Sequence, residues 1–285
     1  MIAGRVSLGR ALLYAFLALG VVFMVAPIAI VVVESFNSSS FGAWPPPSFS
    51  TRWYGNLFHN GGFGGPTIRS LELAVAATAG SLVAGTFAAF AIARYRFPGR
   101  RAIQGFVAAP LIVPKVAIGI AAFILFLKLG LYGSLGSLVL VHVVITLPFV
   151  VTLVVAGFAR VDRTIEEAAA DLGAGPGRTF WCATLPQMRA TLLAAAAFSF
   201  IISFDELDAS IFLVGQKANT LPTAMFIYMQ KYQDPTLAAL SSLLIAGSLA
   251  GATVVAFLIA RIGGMRALTD RGRSAAAATA LEEAV

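Results

Sequence analysis

Four charged residues stand where charge is expensive. Lys115 follows Pro114 inside a long apolar run, and Asp205, Glu206 and Asp208 cluster towards the end of another. A lysine at the centre of a bilayer-spanning helix costs roughly 2.5–3.5 kcal/mol on insertion scales, so such residues face a cavity or a partner of opposite charge. The chemistry open to them is charge pairing, either with one another as a tie between helices or with a charged solute moving past. On helical geometry Asp205 and Asp208, three apart, share a face, and Glu206 lies about a third of a turn away. Pro110 and Pro114 each remove a backbone donor, which predicts a kinked or unwound helix where Lys115 sits.

A second polar stretch, "TIEEAAADLGAGPG", runs from Thr164 to Gly177. Thr164 with Glu167 three residues on reads as a capping box, and Glu166 and Glu167 suit the positive end of the helix dipole. Ala168, Ala169 and Ala170 have the best helix propensity available, and Gly173 is placed to stop the helix in a left-handed turn. Gly175, Pro176 and Gly177 prevent its continuation, so the segment predicts a helix, turn, helix elbow with a small-residue face and an acidic end in water.

The elements that hold these residues follow from composition. The 285-residue chain is 59% hydrophobic and 12% charged, with a mean hydropathy of +0.87. Six apolar stretches are long enough to cross a bilayer as helices: roughly 11–33, 70–93, 102–127, 134–159, 190–214 and 237–260. The expected fold is an all-α integral membrane protein with six transmembrane helices filling residues 11–262, an N-terminus at 1–10, an elbow loop at 160–189 and a tail at 263–285. The first stretch is too long for the apolar region of a cleavable signal peptide and lacks a small-residue cleavage site, so it is expected to stay as an anchor. After Arg273 the tail "SAAAATALEEAV" has little apolar bulk and is expected to fray.

A net charge of +7 does not call for nucleic acid, because membrane topology accounts for the basic residues. Fourteen of them fall on one side: Arg5 and Arg10, Arg94 to Arg101, Arg160 to Arg189, and Arg261 to Arg273. Five, Arg52, Arg69, Lys128, Lys217 and Lys231, fall on the other. The positive-inside rule puts both termini and the elbow in the cytoplasm. Outside, residues 34–69 read as a loop rich in Ser, Gly and Pro, with Trp44, Trp53, Tyr54 and Phe58 available as interfacial anchors; it either lies on the bilayer or receives a delivery protein. Ala76, Gly80, Ala84 and Ala88, and Gly247 with Gly251, form small-residue stripes that admit close helix approach.

No Gly-Lys dipeptide occurs, hence no phosphate-binding loop of the Walker type, and His59 and His142 have neither metal-ligand nor triad spacing. Both histidines are expected in interface or helix-packing roles, and Cys182, the lone cysteine, is expected to pack. The chain alone should hydrolyse nothing and needs no cofactor.

Glu167-Ala168-Ala169, three residues, Gly173, nine residues, then Ala183-x-Leu185-Pro186 resembles the EAA signature of ABC-importer permeases. Ala183 stands where isoleucine is usual, which puts one local packing contact in doubt. The segments "ESFNSSSFG", "RWYGNLF", "ARYRFPGR", "LPFVV", "SFDELDASIFLVG" and "LPTAMF" extend the likeness to the second permease of spermidine/putrescine-type importers. The resemblance implies a bacterial inner-membrane subunit paired with a homologous permease, with a cytoplasmic ATPase dimer that carries ATP and Mg, and with an extracytoplasmic solute-binding protein. It also implies that Glu166, Glu167, Ala168, Ala169, Gly173, Leu185 and Pro186 form the coupling element docked on the ATPase, and that Lys115, Asp205, Glu206 and Asp208 line the solute path. Polyamine permeases of this group often carry an acid after the third-helix proline, where this chain has Lys115. An anionic or zwitterionic solute, such as an amino-acid derivative or a phosphonate, is therefore the alternative. A stand-alone secondary transporter using the intramembrane charges as a proton relay, or a scaffold without transport, are the competing classes.

Overall fold

The computed structural model describes residues 8–59, 62–215 and 219–282. Arg5, Lys217 and the side chain of His59 lie outside the described residues. The order is α1 (Leu8–Glu34), α2 (Arg52–His59), α3 (Gly64–Arg94), α4 (Arg100–Ala108), a 3-10 turn (Ala109–Leu111), α5 (Lys115–Lys128) and α6 (Leu135–Phe158). Then follow α7 (Arg163–Asp171), α8 (Pro176–Thr179), a π turn (Phe180–Thr184), α9 (Leu185–Gln187), α10 (Arg189–Phe204), α11 (Ser210–Leu213), α12 (Leu221–Lys231) and α13 (Thr236–Glu282).

Four helical stretches are long and apolar enough to cross a membrane alone: Leu12–Glu34, Gly64–Arg94, Leu135–Phe158 and Thr236–Arg261. Two more apolar candidates are broken pairs, Arg100–Leu111 with Lys115–Lys128 bent by 99°, and Pro176–Gln187 with Arg189–Phe204 bent by 75°. Counted as one span each, they bring the total to the six expected. The first bend follows from the sequence. Pro114 adopts an extended backbone (φ −55°, ψ 131°) and, having no N–H, ends the turn before it, so a new helix starts at Lys115.

The 75° bend of the second pair lies at Met188, between α9 and α10; at its other end, and against expectation, α10 stops at Phe204 instead of running to 214. Glu206 takes the Ala209 N–H with its side chain at 3.0 Å, so an acid competes with the backbone for the donor that a continuous helix would use. Asp205, Glu206 and Asp208 consequently lie in a turn, not on one helical face. At the other end of the chain α13 continues to Glu282, so the tail is helical where fraying was expected.

The chain divides into two compact units, Met1–Gly64 with Met225–Leu249, and Gly65–Ala224 with Ala250–Val285. In the first, the segment after α1 is more ordered than a loose loop. Buried Asn37 donates to the Glu34 carboxylate (3.0 Å) and to the Ala43 carbonyl (2.9 Å), and its own carbonyl accepts from Trp53 Nε1 (2.6 Å). Trp53 is thereby buried in α2 instead of serving as a membrane anchor, while Trp44 and Phe58 remain exposed.

In the second unit α3 buries a small-residue face, but one residue out of register from the expected stripe. Ala77, Ser81, Gly85 and Ala89 are inside, whereas Ala76 and Ala84 are exposed. A Cβ on Gly85 would lie 2.6 Å from Val150 Cγ1, and one on Gly80 would lie 2.9 Å from Val143 Cγ2, so these glycines let α3 close on α6. Gly247 and Gly251 have nothing within 4 Å and serve no such contact. Two apolar clusters pack along α6, one on Leu138, Val141 and Ile145 and the other on Val150, Val151, Val154 and Phe158.

Candidate translocation and coupling sites

The start of α5, just past the break at Pro114, meets the turn between α10 and α11. Lys115, the first residue of α5, places Nζ 2.7 Å from Oε2 of Glu206, in the turn after α10. The glutamate side chain is 1% exposed and the lysine side chain 41% exposed, so the ammonium covers a buried carboxylate from the open side. The other carboxylate oxygen, Oε1, accepts from Ala209 N–H, which leaves Glu206 with one backbone and one ionic partner. Burial of a carboxylate demands such partners, since an isolated charge in low dielectric is costly. Asp205 and Asp208 are exposed, and the ion pair does not include them.

Two supports hold this junction. Gly119, one turn beyond Lys115 on the same helix face, lies so close to the turn that a Cβ there would sit 2.7 Å from Ala209 Cα and 2.9 Å from its carbonyl oxygen. His142 on α6, fully buried, bridges the break: Nδ1 is 2.8 Å from Ser203 Oγ in α10, and Nε2 is 2.9 Å from Ser210 Oγ in α11. Non-helical backbone at membrane depth is tolerated only where protein or a cavity surrounds it, and the histidine ties its two ends. This is the helix-packing role expected of His142, though its particular partners, 61 and 68 residues away, gave no local signal in the sequence.

The elbow forms as expected at its C-terminal end. Gly173 is left-handed (φ 83°), its N–H bonds to the Ala170 carbonyl (2.8 Å), and the Ala174 N–H bonds to the Ala169 carbonyl (3.0 Å), the paired bonds of a Schellman stop. The N-terminal end differs. The cap is Asp162, whose side chain accepts from Thr164 N–H (2.9 Å) and Thr164 Oγ1 (2.8 Å), so Thr164 is not the capping residue.

The acidic end is also less free than expected. Both carboxylate oxygens of Glu166 accept from Arg94 Nη2, at 2.6 and 2.7 Å, and Oε1 also accepts from Thr184 Oγ1 at 2.5 Å. With side chains only 14% and 17% exposed, Arg94 and Glu166 bolt α7 to the end of α3. Glu167, Ala168 and Ala170 face outward, Ala169 is half-buried, and Leu172 just past the helix is 89% exposed.

Behind the elbow, Phe180 stacks edge-on against Phe90 at 4.9 Å, Ala183 is buried, and Leu185 and Pro186 are half-buried. The small Ala183 is thus accommodated within the packing, and the elbow keeps its form. Cys182 is exposed, contrary to the expectation that it packs.

The sequence compares with known proteins along most of its length. Over 237 residues it is 33% identical to the putrescine transport system permease protein PotI of Escherichia coli K12, covering 80% of this chain and 84% of that protein. It is 31% identical over 255 residues to the spermidine/putrescine transport system permease protein PotC of the same organism, covering 89% and 96%. Identity to a putative 2-aminoethylphosphonate transport system permease protein, PhnV of Salmonella paratyphi A, is 27% over 228 residues, covering 79% and 85%. Among solved structures, a bacterial ABC transporter that imports the acidic polysaccharide alginate superposes with a TM-score of 0.68 at 14% identity, covering 92% of this chain and 99% of that one. Residues 81–271, which contain the elbow, the Lys115–Glu206 junction and their supports, match a whole family at once, and the chain belongs to the inner membrane components of binding-protein-dependent transport systems.

Proposed function

We propose that this chain is one of two permease subunits of an ATP-driven importer for a polyamine, putrescine or spermidine, with the solute path running past Lys115, Asp205, Glu206 and Asp208. The carrying observation is the buried Glu206 carboxylate where the turn between α10 and α11 meets the start of α5. Transport folds build solute sites at such interruptions, where helix ends and unwound backbone offer charge and hydrogen bonds inside the bilayer. A carboxylate there suits a cation, and the relatives PotI and PotC are named for cationic amines.

In the same reading α7 with Glu167, Ala168, Ala169 and Gly173 is the element an ATPase dimer grips, backed by Glu166, Leu185 and Pro186. An exposed alanine-rich helix ending in exposed Leu172 has little else to bind in water. The Arg94–Glu166 pair supports a common, cytoplasmic side for the loop after α3 and the elbow, in keeping with both termini being cytoplasmic.

A second reading, a zwitterionic solute, has its own support. Lys115 and Glu206 offer both signs within 2.7 Å, and PhnV is named for an aminophosphonate.

The test is ATPase activity of the complex reconstituted with its ATPase, second permease and binding protein. Putrescine or spermidine should stimulate wild type, Glu206→Gln should abolish that stimulation, and Gly173→Val should abolish it while the membrane helices still insert. Stimulation by 2-aminoethylphosphonate but by neither polyamine would replace the first reading with the second.

A further inference from the structure

The junction holds its own cation. Among the described residues the Glu206 carboxylate has one ionic partner, the Lys115 ammonium at 2.7 Å, and that group hangs on a flexible four-carbon stem whose side chain is 41% exposed beside a carboxylate that is 1% exposed. Nothing in α5 favours the charge where it is. Lys115 is the first residue of the helix, at the positive pole of its dipole, where a cation is disfavoured. The negative pole of α10 lies on the opposite side of the contact, since that helix ends at Phe204, two residues before Glu206. The field at the junction therefore draws an ammonium to Glu206 and gives it no preference for being covalently attached to α5.

We propose that Lys115 is a tethered occupant of a primary-ammonium site, so that a solute amine enters by displacing it from Glu206. This rests on the polyamine reading and deepens it. An alkylammonium from solution offers the same three N–H donors as the lysine, so the exchange replaces each hydrogen bond with its like. A quaternary ammonium has no N–H and cannot make the exchange. Lys115 thus acts as a built-in competitor that holds the site's affinity for free amines down and keeps the buried carboxylate neutralised when no solute is present.

The experiment uses the assembled complex of both permeases and ATPases in lipid nanodiscs without binding protein, with equilibrium binding of radiolabelled putrescine as readout. Lys115→Ala, which removes the occupant, should bind putrescine at least tenfold more tightly than wild type. It should also acquire binding of n-butylamine, whereas tetramethylammonium should bind neither. Lys115→Arg should stay within about twofold of wild type, and Lys115→Ala/Glu206→Gln should lose the gain. Equal affinity in wild type and Lys115→Ala, or a gain that survives in the double variant, would overturn the proposal.

If Lys115→Ala assembles poorly, putrescine or n-butylamine present during purification should restore its yield; a yield indifferent to amines counts against the proposal. Putrescine-stimulated ATPase in wild type together with unchanged affinity in Lys115→Ala would sink this inference alone. A wild type silent to polyamines would sink the reading beneath it.

Discussion

Replacing Gly119 with alanine probes the junction at its tightest point. The new Cβ would lie 2.7 Å from Ala209 Cα and 2.9 Å from Ala209 O, against an ordinary contact of 3.4 Å or more, so about 0.7 Å must be recovered. Both offending atoms are backbone, so no rotamer can yield. The recovery must come from moving α5 away from the turn that carries Glu206. Overpacking of this kind costs about 1–3 kcal/mol, and a rigid backbone target places it near the top of that range. Alanine gains up to about 1 kcal/mol over glycine in a helix interior, which leaves a net loss of about 2 kcal/mol. At roughly 2–4 °C per kcal/mol for a domain of comparable size, the melting midpoint should fall by about 4–8 °C. Gly247→Ala is the matched control, a helix-interior glycine with nothing within 4 Å, and it should melt level with wild type or slightly above it. The assay is thermal unfolding of the purified complex, followed by solute-stimulated ATPase at a temperature where both variants are folded. Gly119→Ala melting at or above wild type, with Gly247→Ala behaving as stated, would refute the close approach of α5 to the Ala209 turn.

His142→Phe keeps an aromatic ring, a larger one, but strands the Ser203 and Ser210 hydroxyls, each buried, at about 1–3 kcal/mol apiece; Ser203→Ala and Ser210→Ala added to it remove both hydroxyls and make room, and should recover most of the melting loss, which unfolding curves of the single and triple variants would check. Glu166→Ala leaves the largely buried Arg94 unpaired at about 3 kcal/mol, and since the carboxylate is internal it should loosen the elbow more than Glu167→Ala does; co-purification of the ATPase should fall further for the first than for the second. Cys182, exposed, should react with a membrane-impermeant maleimide in inside-out vesicles and not in right-side-out cells, and labelling from outside would refute a cytoplasmic elbow.

Much of this was legible in the residues because it depends on local terms. A run of about twenty apolar residues must hide its backbone as a helix, so the helical spans could be counted from one sequence. The stop at Gly173 was legible because glycine alone accepts that backbone cheaply, and the break before Lys115 because Pro114 has no donor. Tertiary structure decided what depends on which surfaces meet. The lysine's partner is Glu206, 91 residues on, and not Asp205 or Asp208; the acid that holds the elbow is Glu166, claimed by Arg94, 72 residues before it. α10 ends at Phe204 because a side chain captured a backbone donor, and α3 buries Ala77 to Ala89 instead of Ala76 to Ala88 because Val150 fills the space above Gly85. Hydrophobicity and helix propensity are summed along the chain and so are read from it. The pairing of charges and the register of packed faces are settled by contacts between segments far apart in sequence, where several acids or several alanines are locally equivalent and only the folded geometry chooses among them.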